Sequence, residues 1–317
     1  SNEYSLYKIK EEIGNQTDTL VYAVLGDIKD KGRMLNVCKA FGIETIYHAA
    51  AYKHVTLVEE NPFEGIRNNV FGTHACVTAA IEANVQTFVL ISTDKAVRPT
   101  NIMGATKRFA EIILQSIASD PNKNIDTKMS MVRFGNVLGS SGSALPLFKK
   151  QILEGGPVTV TDPEIIRYFM SIPEAAELVI QAGAMGAGGE VFVLDMGEPV
   201  KILELAKRLI KLSGCELVDE NNPDGDIEIV FTGLRPGEKL YEELLIGDNV
   251  QLTQHKQIYK ANEDYLTRIE MEKFIDLFRE AEKNSDVNRL KSILKDAIHG
   301  FTPDKNTIDI VHIQNQN

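Results

Sequence analysis

The sequence is short of several residue types that dedicated chemistries require in clusters. Among its 317 residues are three cysteines, Cys38, Cys76 and Cys215, which are far apart, odd in number and free of any Cys-x-x-Cys pair. That usage speaks for a reducing compartment rather than a disulfide framework. The six histidines are scattered without ligand spacing, so no metal site is expected. Positive charge is also scarce: 34 Lys and Arg against 45 Asp and Glu leave a net charge of -11. This argues against a nucleic-acid partner, because holding a phosphate backbone takes clustered Lys and Arg. There is no signal peptide, no apolar run long enough to cross a bilayer, no internal repeat and no low-complexity tract. What remains is the profile of a soluble, cytoplasmic globular protein with 43% hydrophobic and 25% charged residues, long enough for one large or two modest domains.

Along the chain, apolar periodicity of 3.6 alternates with short β-branched runs. A helix is expected over residues 3–13, a strand over Leu20–Leu25, a helix over 31–41 and a strand over Thr45–His48. A long helix over 62–83, the strand Thr87–Ile91, a helix over 102–118 and a strand over 128–134 follow. This alternation predicts an α/β fold, a Rossmann-like doubly wound parallel sheet. After Gly142 the elements become shorter and mixed: helices over 144–154, 173–185, 202–212 and 240–245, with strands near 158–160, 190–194 and 227–231. These predict a smaller mixed α/β lobe at the carboxyl edge of the sheet. Two amphipathic helices over 269–298 close the chain, and the Asn- and Gln-rich end should fray. The expected boundaries are 1–142 for the nucleotide-binding part, 143–262 for the substrate lobe interleaved with it, and 263–317 for the terminal helices and tail.

The stretch Leu90-Ile91-Ser92-Thr93-Asp94-Lys95 carries the strongest chemical signal. A buried strand ends there in a hydroxyl, an acid and an amine, and ligands of open α/β sheets sit beyond the carboxyl ends of such strands. Thr-Asp alone also serves as a turn or helix cap. A second lysine, Lys107, lies on the following helix at i+4 from Met103.

Thr93-Asp94-Lys95 with Met103-x-x-x-Lys107 resembles the CapD-like polysaccharide biosynthesis enzymes, extended short-chain dehydrogenases that act as UDP-N-acetylglucosamine 4,6-dehydratases. Further segments fit the same pattern: Gly26-Asp27-Ile28, Ala49-Ala50-Ala51-Tyr52-Lys53-His54-Val55, Asn68-Asn69-Val70-Phe71-Gly72-Thr73, Arg133-Phe134-Gly135-Asn136-Val137 and Arg235-Pro236-Gly237-Glu238-Lys239. The resemblance runs to about Leu245.

Two departures stand out. Short-chain dehydrogenases usually carry Tyr-x-x-x-Lys where this chain has Met103 and Lys107, and methionine cannot transfer a proton. Within the family this substitution is similar to the long, membrane-anchored branch, associated with retention at sugar carbon 5. That resemblance implies a parent protein at the inner face of the bacterial plasma membrane. The second departure is that no glycine-rich phosphate loop of the family's kind precedes Glu3-Tyr4-Ser5-Leu6-Tyr7, which resembles the family just after its second strand. The expectation is a fragment lacking the first two strands and the loop. Two vacant places, each ~4.8 Å wide, would then separate the strands Leu20–Leu25 and Thr45–His48. Either these two strands pair directly or another chain fills the gap.

The resemblance implies hydride transfer from sugar carbon 4 to NAD or NADP, loss of water across carbons 5 and 6, and hydride return to carbon 6. In this reading Asp94 protonates the departing 6-hydroxyl, and Lys95 removes the carbon 5 proton with a lowered pKa. Thr93 and Lys107 orient the 4-hydroxyl, and Met103 packs on nicotinamide or sugar. Asp27, Ile28, Ala49, Ala50, Ala51, Lys53, Asn69 and Lys107 would meet the cofactor. Lys53, His54, Asn136, Val137, Thr159, Arg167, Arg235 and Glu238 would meet the UDP-sugar, with Arg167 and Arg235 on the diphosphate. Plainer uses exist: Asp27 as a helix cap, His54 as a surface residue, and Arg235 paired with Glu238. A homo-oligomer, weak NAD(P) binding and little turnover are expected of this chain. A sugar-nucleotide epimerase or reductase, and a non-catalytic nucleotide-sugar-binding domain, are the competing readings.

Overall fold

Residues 87–91, Thr-Phe-Val-Leu-Ile, sit mid-sheet because both of their faces are apolar. Phe88 and Leu90 enter one core cluster and Val89 another, all fully buried, as a period of two requires of a strand covered on both sides. The computed structural model describes residues 2–122, 125–140, 142–243, 250–303 and 309–316.

The first half contains helices α1 (Glu3–Gly14) and α2 (Lys31–Phe41), strand β1 (Thr45–His48), helices α3 (Val55–Glu60) and α4 (Pro62–Gly65), a π turn (Ile66–Phe71) and α5 (Gly72–Glu82). Strand β2 (Thr87–Ile91), a 3-10 turn (Asp94–Ala96), α6 (Ile102–Ala118) and β3 (Lys128–Arg133) follow. Then come β4 (Asn136–Val137), α7 (Ala144–Leu153), β5 (Val158–Val160), β6 (Ile166–Arg167), β7 (Phe169–Met170) and α8 (Ile172–Met185). The remainder is β8 (Glu190–Leu194), β9 (Val200–Lys201), α9 (Ile202–Leu212), β10 (Ile229–Phe231), β11 (Val250–Leu252), β12 (Ile258–Ala261), α10 (Arg268–Lys283), α11 (Val287–Ala297) and α12 (Ile310–Gln316).

The main sheet runs β1-β2-β3-β8-β12-β11, parallel through β8 and antiparallel for the last two pairings. Phe88, Leu90, Met129 and Met131 pack on the side of α6, α10 and α11. Val89, Val132, Phe192 and Leu194 pack on the other side, against α8. The fold class is therefore α/β with a Rossmann-like sheet. A third cluster, with Phe148, Ile152, Val158, Val160, Ile202 and Ile210, joins α7 and α9 to the parallel pair β5–β10. That pair lies apart from the main sheet and walls the space beyond its carboxyl edge.

Several expectations are corrected. Leu20–Leu25 forms no strand and does not pair with β1, which is an edge of the sheet. A β-prone run without a ladder partner has nothing to take its N–H and C=O groups. The segment lies along α2 instead: Tyr22 stacks on Phe41 with ring centroids 5.0 Å apart, and Arg33 Nε donates to the Leu25 carbonyl at 3.1 Å. The long helix over 62–83 is continuous but underwound at its centre into the π turn that carries Asn69. Residues 240–243 are irregular rather than helical, and the end of that expected helix, 244–245, lies outside the described residues. The Asn- and Gln-rich end forms a short helix, α12.

Candidate active site

β2 delivers its last residues into a cleft because its neighbour β3 holds it there. Ser92 N–H donates to the Val132 carbonyl at 2.8 Å, and Asp94 N–H to the Phe134 carbonyl at 3.1 Å. The chain then tightens into the 3-10 turn, capped by the Thr93 hydroxyl. α6 starts against this turn at Gly104. A Cβ there would lie 2.2 Å from the Lys95 carbonyl oxygen, so only glycine allows the approach.

Two cavities flank the turn. The smaller, about 260 Å3, is lined by Ala49, Ala51, Lys53, Thr93, Met103, Lys107 and Val137. The larger, about 390 Å3, is lined by His54, Thr159, Arg167, Arg235 and Glu238. Lys95 and Asn136 line both, so the cavities adjoin at these two residues. Asp27, Ile28, Ala50, Asn69 and Asp94 lie outside both linings.

Asp27 accepts from Lys29 N–H at 2.9 Å, which lowers its pKa, and the cap of α2 is Asp30. Ile28 fills the space over Gly72. Ala50 is exposed at the mouth of β1. Asn69 bonds both backbone groups of Tyr52, at 2.8 and 3.0 Å, and the Thr106 hydroxyl at 2.9 Å. It thus ties the loop after β1 to α6 from within a π turn, a distortion common at functional sites.

Asp94 lies beneath the cleft. Its Oδ1 accepts from the Thr93 hydroxyl at 2.8 Å and from Lys95 Nζ at 3.0 Å, while Oδ2 has no partner and lies against Gly135. Thr93 and Lys95, not the carboxyl itself, face the cavities. Burial alone would pull the Lys95 ammonium down, but Asp94 and Glu242 outweigh it and its pKa is raised. The expectation of a lowered Lys95 is therefore corrected. The depressed amine is Lys107: burial pushes it to about 8, with Nζ donating to the Ile91 carbonyl at 2.6 Å. Met103, 2% exposed, packs beside it.

In the larger cavity, Arg167 is already engaged. It donates to the carbonyls of Ile166, Lys239 and Leu240 and pairs with Glu238 at 3.3 Å. The plainer use of Arg235, an ion pair with Glu238, is not found among the described residues: what Arg235 gives Glu238 is its backbone N–H, at 3.1 Å. The exposed Arg235 guanidinium is thereby left facing the cavity. Thr159 is held by Gln151 through its hydroxyl at 2.8 Å. His54 covers Gly142, where a Cβ would meet the ring at 2.4 Å.

The sequence missed Glu242, which is buried, lines the larger cavity and stands 3.6 Å from Lys95 Nζ. Its signal was masked by the helix expected over 240–245, on which an acid reads as a solvated residue. It also missed the buried pair His48–Thr73 (3.0 Å), whose imidazole is pushed down to about 3 by burial and by Lys107. A histidine inside a strand has no periodic signature.

Residues 1–263 match the polysaccharide biosynthesis protein family. The chain belongs to that family. It is 51% identical, over 86% of its length, to the capsular polysaccharide biosynthesis protein CapD of Staphylococcus aureus and covers 45% of that protein. It therefore spans less than half the length of such relatives. It is 30% identical, over 91% of its length and 81% of the relative's, to a UDP-N-acetylglucosamine 4,6-dehydratase (inverting) of Campylobacter jejuni. A UDP-glucose 4-epimerase of Rickettsia canadensis is 36% identical over 66% of this chain and 58% of its own. The solved structure of Pen from Bacillus thuringiensis superposes with a TM-score of 0.73 at 34% identity, covering 84% of this chain and 80% of that one. Family and fold together are those of extended short-chain dehydrogenases that include nucleotide-sugar dehydratases and epimerases. No helix among the described residues is long and apolar enough to cross a membrane.

Proposed function

We propose that this chain carries the site of an NAD(P)-dependent UDP-N-acetylglucosamine 4,6-dehydratase that supplies a UDP-4-keto-6-deoxy sugar for polysaccharide biosynthesis. The observation that carries the reading is the meeting of the two cavities at Lys95, beside a hydroxyl–carboxyl pair. An epimerase or reductase moves hydride but eliminates no water, and needs no acid–base pair at that junction.

The smaller cavity suits the nicotinamide–ribose half of a dinucleotide. Its floor at the ends of β1 and β2 is made of Ala49 and Ala51, and its wall of Met103 and Lys107. These residues would hold the cofactor, with Lys107 as ribose ligand and Asp27 and Ile28 toward the adenine end. Bound NAD(P) supplies the hydride acceptor at sugar carbon 4 and the donor at carbon 6. The protein's own share is proton movement and orientation. Thr93 stands between cavity and carboxyl, so a proton from the 4-hydroxyl reaches Asp94 through the Thr93 hydroxyl. Asp94, once protonated, returns that proton to the departing 6-hydroxyl by the same route. Lys95 faces the junction and takes the proton from carbon 5. The free Arg235 guanidinium suits the diphosphate, and Arg167 serves by fixing Glu238 and the strap behind it.

Calorimetry on this chain tests the binding half. UDP-N-acetylglucosamine should bind with a stoichiometry of one, and Arg235→Ala should weaken it by roughly tenfold, the scale of a charge-assisted pair. NAD+ alone should bind weakly, since the sequence holds no glycine-rich phosphate loop. Unchanged affinity in Arg235→Ala, or no binding of the UDP-sugar, contradicts the reading.

A further inference from the structure

Lys95 presents an unsolved problem for any chemistry that needs it as a base. Its ammonium sits between two carboxylates, Asp94 at 3.0 Å and Glu242 at 3.6 Å. Glu242 is 3% exposed at its side chain, and Arg167 stands 3.9 Å from the same oxygen, Oε1. Asp94 Oδ2 and Glu242 Oε2 are both buried without a partner. Two carboxylates thus crowd one ammonium in a buried place.

Glu242 does not reach this position by chance packing. The strap from Gly233 to Glu243 is fastened to the loop behind Lys95. Asn101 Nδ2 donates to the Gly237 carbonyl at 2.9 Å, and Lys239 Nζ to the carbonyls of Val97 and Arg98 at 3.2 and 3.0 Å. Arg98 Nε pairs with Glu243 at 3.0 Å. A Cβ at Gly237 would lie 2.8 Å from Asn101 Cβ, so the strap is in close contact along this line. Fastening on both sides of Glu242's own neighbours delivers its carboxyl to Lys95.

We propose that Glu242 is a positioning residue that acts through Lys95: it fixes the ammonium at the junction and accepts the proton that Lys95 must shed. This rests on the dehydratase reading for its purpose, though not for its existence. While Asp94 is ionised, both carboxylates hold Lys95 charged. When the 4-hydroxyl proton arrives on Asp94, that carboxyl becomes neutral and Lys95 loses one of its two anionic partners. The ammonium N–H bond then breaks, the electron pair stays on Nζ, and the proton forms an O–H bond on Glu242. One cation and one anion become an amine and an acid, so charge and atoms balance. The groups facing Lys95 and Glu242 are Asp94 on the catalytic turn, Arg167 on β6, and Lys239 on the strap. Burial and Asp94 push the Glu242 carboxyl up while Lys95, Arg167 and Lys239 pull it down, and the net direction is up. A raised carboxyl is the suitable recipient for a lysine's proton.

The test is the titration of Lys95 in the whole chain, read by NMR on lysine labelled with carbon-13 at Cε and assigned with Lys95→Arg. Glu242→Gln should lower the Lys95 pKa by about one unit or more, a tenfold loss of proton affinity, and Glu242→Asp should restore most of it. If Glu242→Gln does not fold, the wild type still decides the matter. Its Glu242 side-chain carboxyl carbon should report the same two apparent pKa values as Lys95, because the groups titrate as a coupled set. A Lys95 pKa unchanged in Glu242→Gln, or independent titration of the two groups in the wild type, overturns the proposal. A glutamate that only anchored the strap would leave Lys95 where Asp94 alone sets it. Neither readout involves turnover, so a failure of the dehydratase reading would leave this result standing, and the reverse.

Discussion

Lys107 shows what a single buried charge contributes. Its pKa falls from the ordinary lysine value of 10.5 to about 8 because burial disfavours the ammonium. Between about pH 8 and 10.5 the unfolded chain therefore holds more protons than the folded one, so stability rises with pH across that window. Below it, both states are protonated and the folded state bears the full burial cost, on the order of 3 kcal/mol for a shift of this size. Lys107→Met removes this dependence. Relative to wild type, the variant should lose stability as pH rises from 8 to 10.5, by up to that amount, in paired urea titrations. A difference that stays constant with pH contradicts the assignment of a depressed amine to Lys107. At this scale the placement of residues at the cavity was most readable just past the end of β2, at Thr93 and Lys95, and in the first turns of the helix that follows, at Met103 and Lys107. It was least readable for Asp94, whose type suggests a cleft acid but whose carboxyl lies under the turn, and for Glu242, whose neighbour in space is 147 positions away in sequence.

Among the elements, the junction of the 3-10 turn with α6 is the least tolerant. Gly104 is needed for close approach, since a Cβ would stand 2.2 Å from the Lys95 carbonyl. Gly104→Ala should destabilise the fold by about 1–3 kcal/mol through overpacking. Because the atom displaced belongs to Lys95, the loss in kcat should exceed any loss in substrate affinity. Urea unfolding together with steady-state kinetics checks both. The parallel strands β2, β3 and β8 and helix α8 were legible because their apolar patterns match their burial on one face or two. Leu20–Leu25 was misread because β-propensity describes fit to a half-buried pleated surface and cannot say that a partner strand adjoins it. The pair β11–β12 was missed because Val250–Leu252 is mostly exposed, and β12 is placed by β8, about 64 to 70 positions away in sequence.

On the scale of the whole molecule, the smaller cavity lies at the carboxyl edge of the sheet, and the larger one lies between residues 54–57, the turn after β2 and the elements after residue 142. The strap over residues 233–243 closes the junction between them. A buried network behind the site stiffens this arrangement. Arg133, fully buried, binds Glu111 at 2.6 Å and also Glu263, while Glu111 accepts from Ser92, two residues before Asp94, at 2.5 Å. The end of β2 is thus fastened to β3, α6 and the segment after β12 at once. A sequence shows the charged residues of such a network but not that they converge, because convergence is a property of the folded sheet.

The proposed dehydratase would remove water across carbons 5 and 6 of a UDP-sugar. Its most direct test is to incubate the full gene product with UDP-N-acetylglucosamine and NAD+ in deuterium oxide and follow the sugar by NMR. A dehydratase should give a 4-keto-6-deoxy product with deuterium at carbon 5, and Lys95→Ala should lose both product and label. A product altered only at carbon 4, with no deuterium at carbon 5, or full turnover by Lys95→Ala, would contradict it.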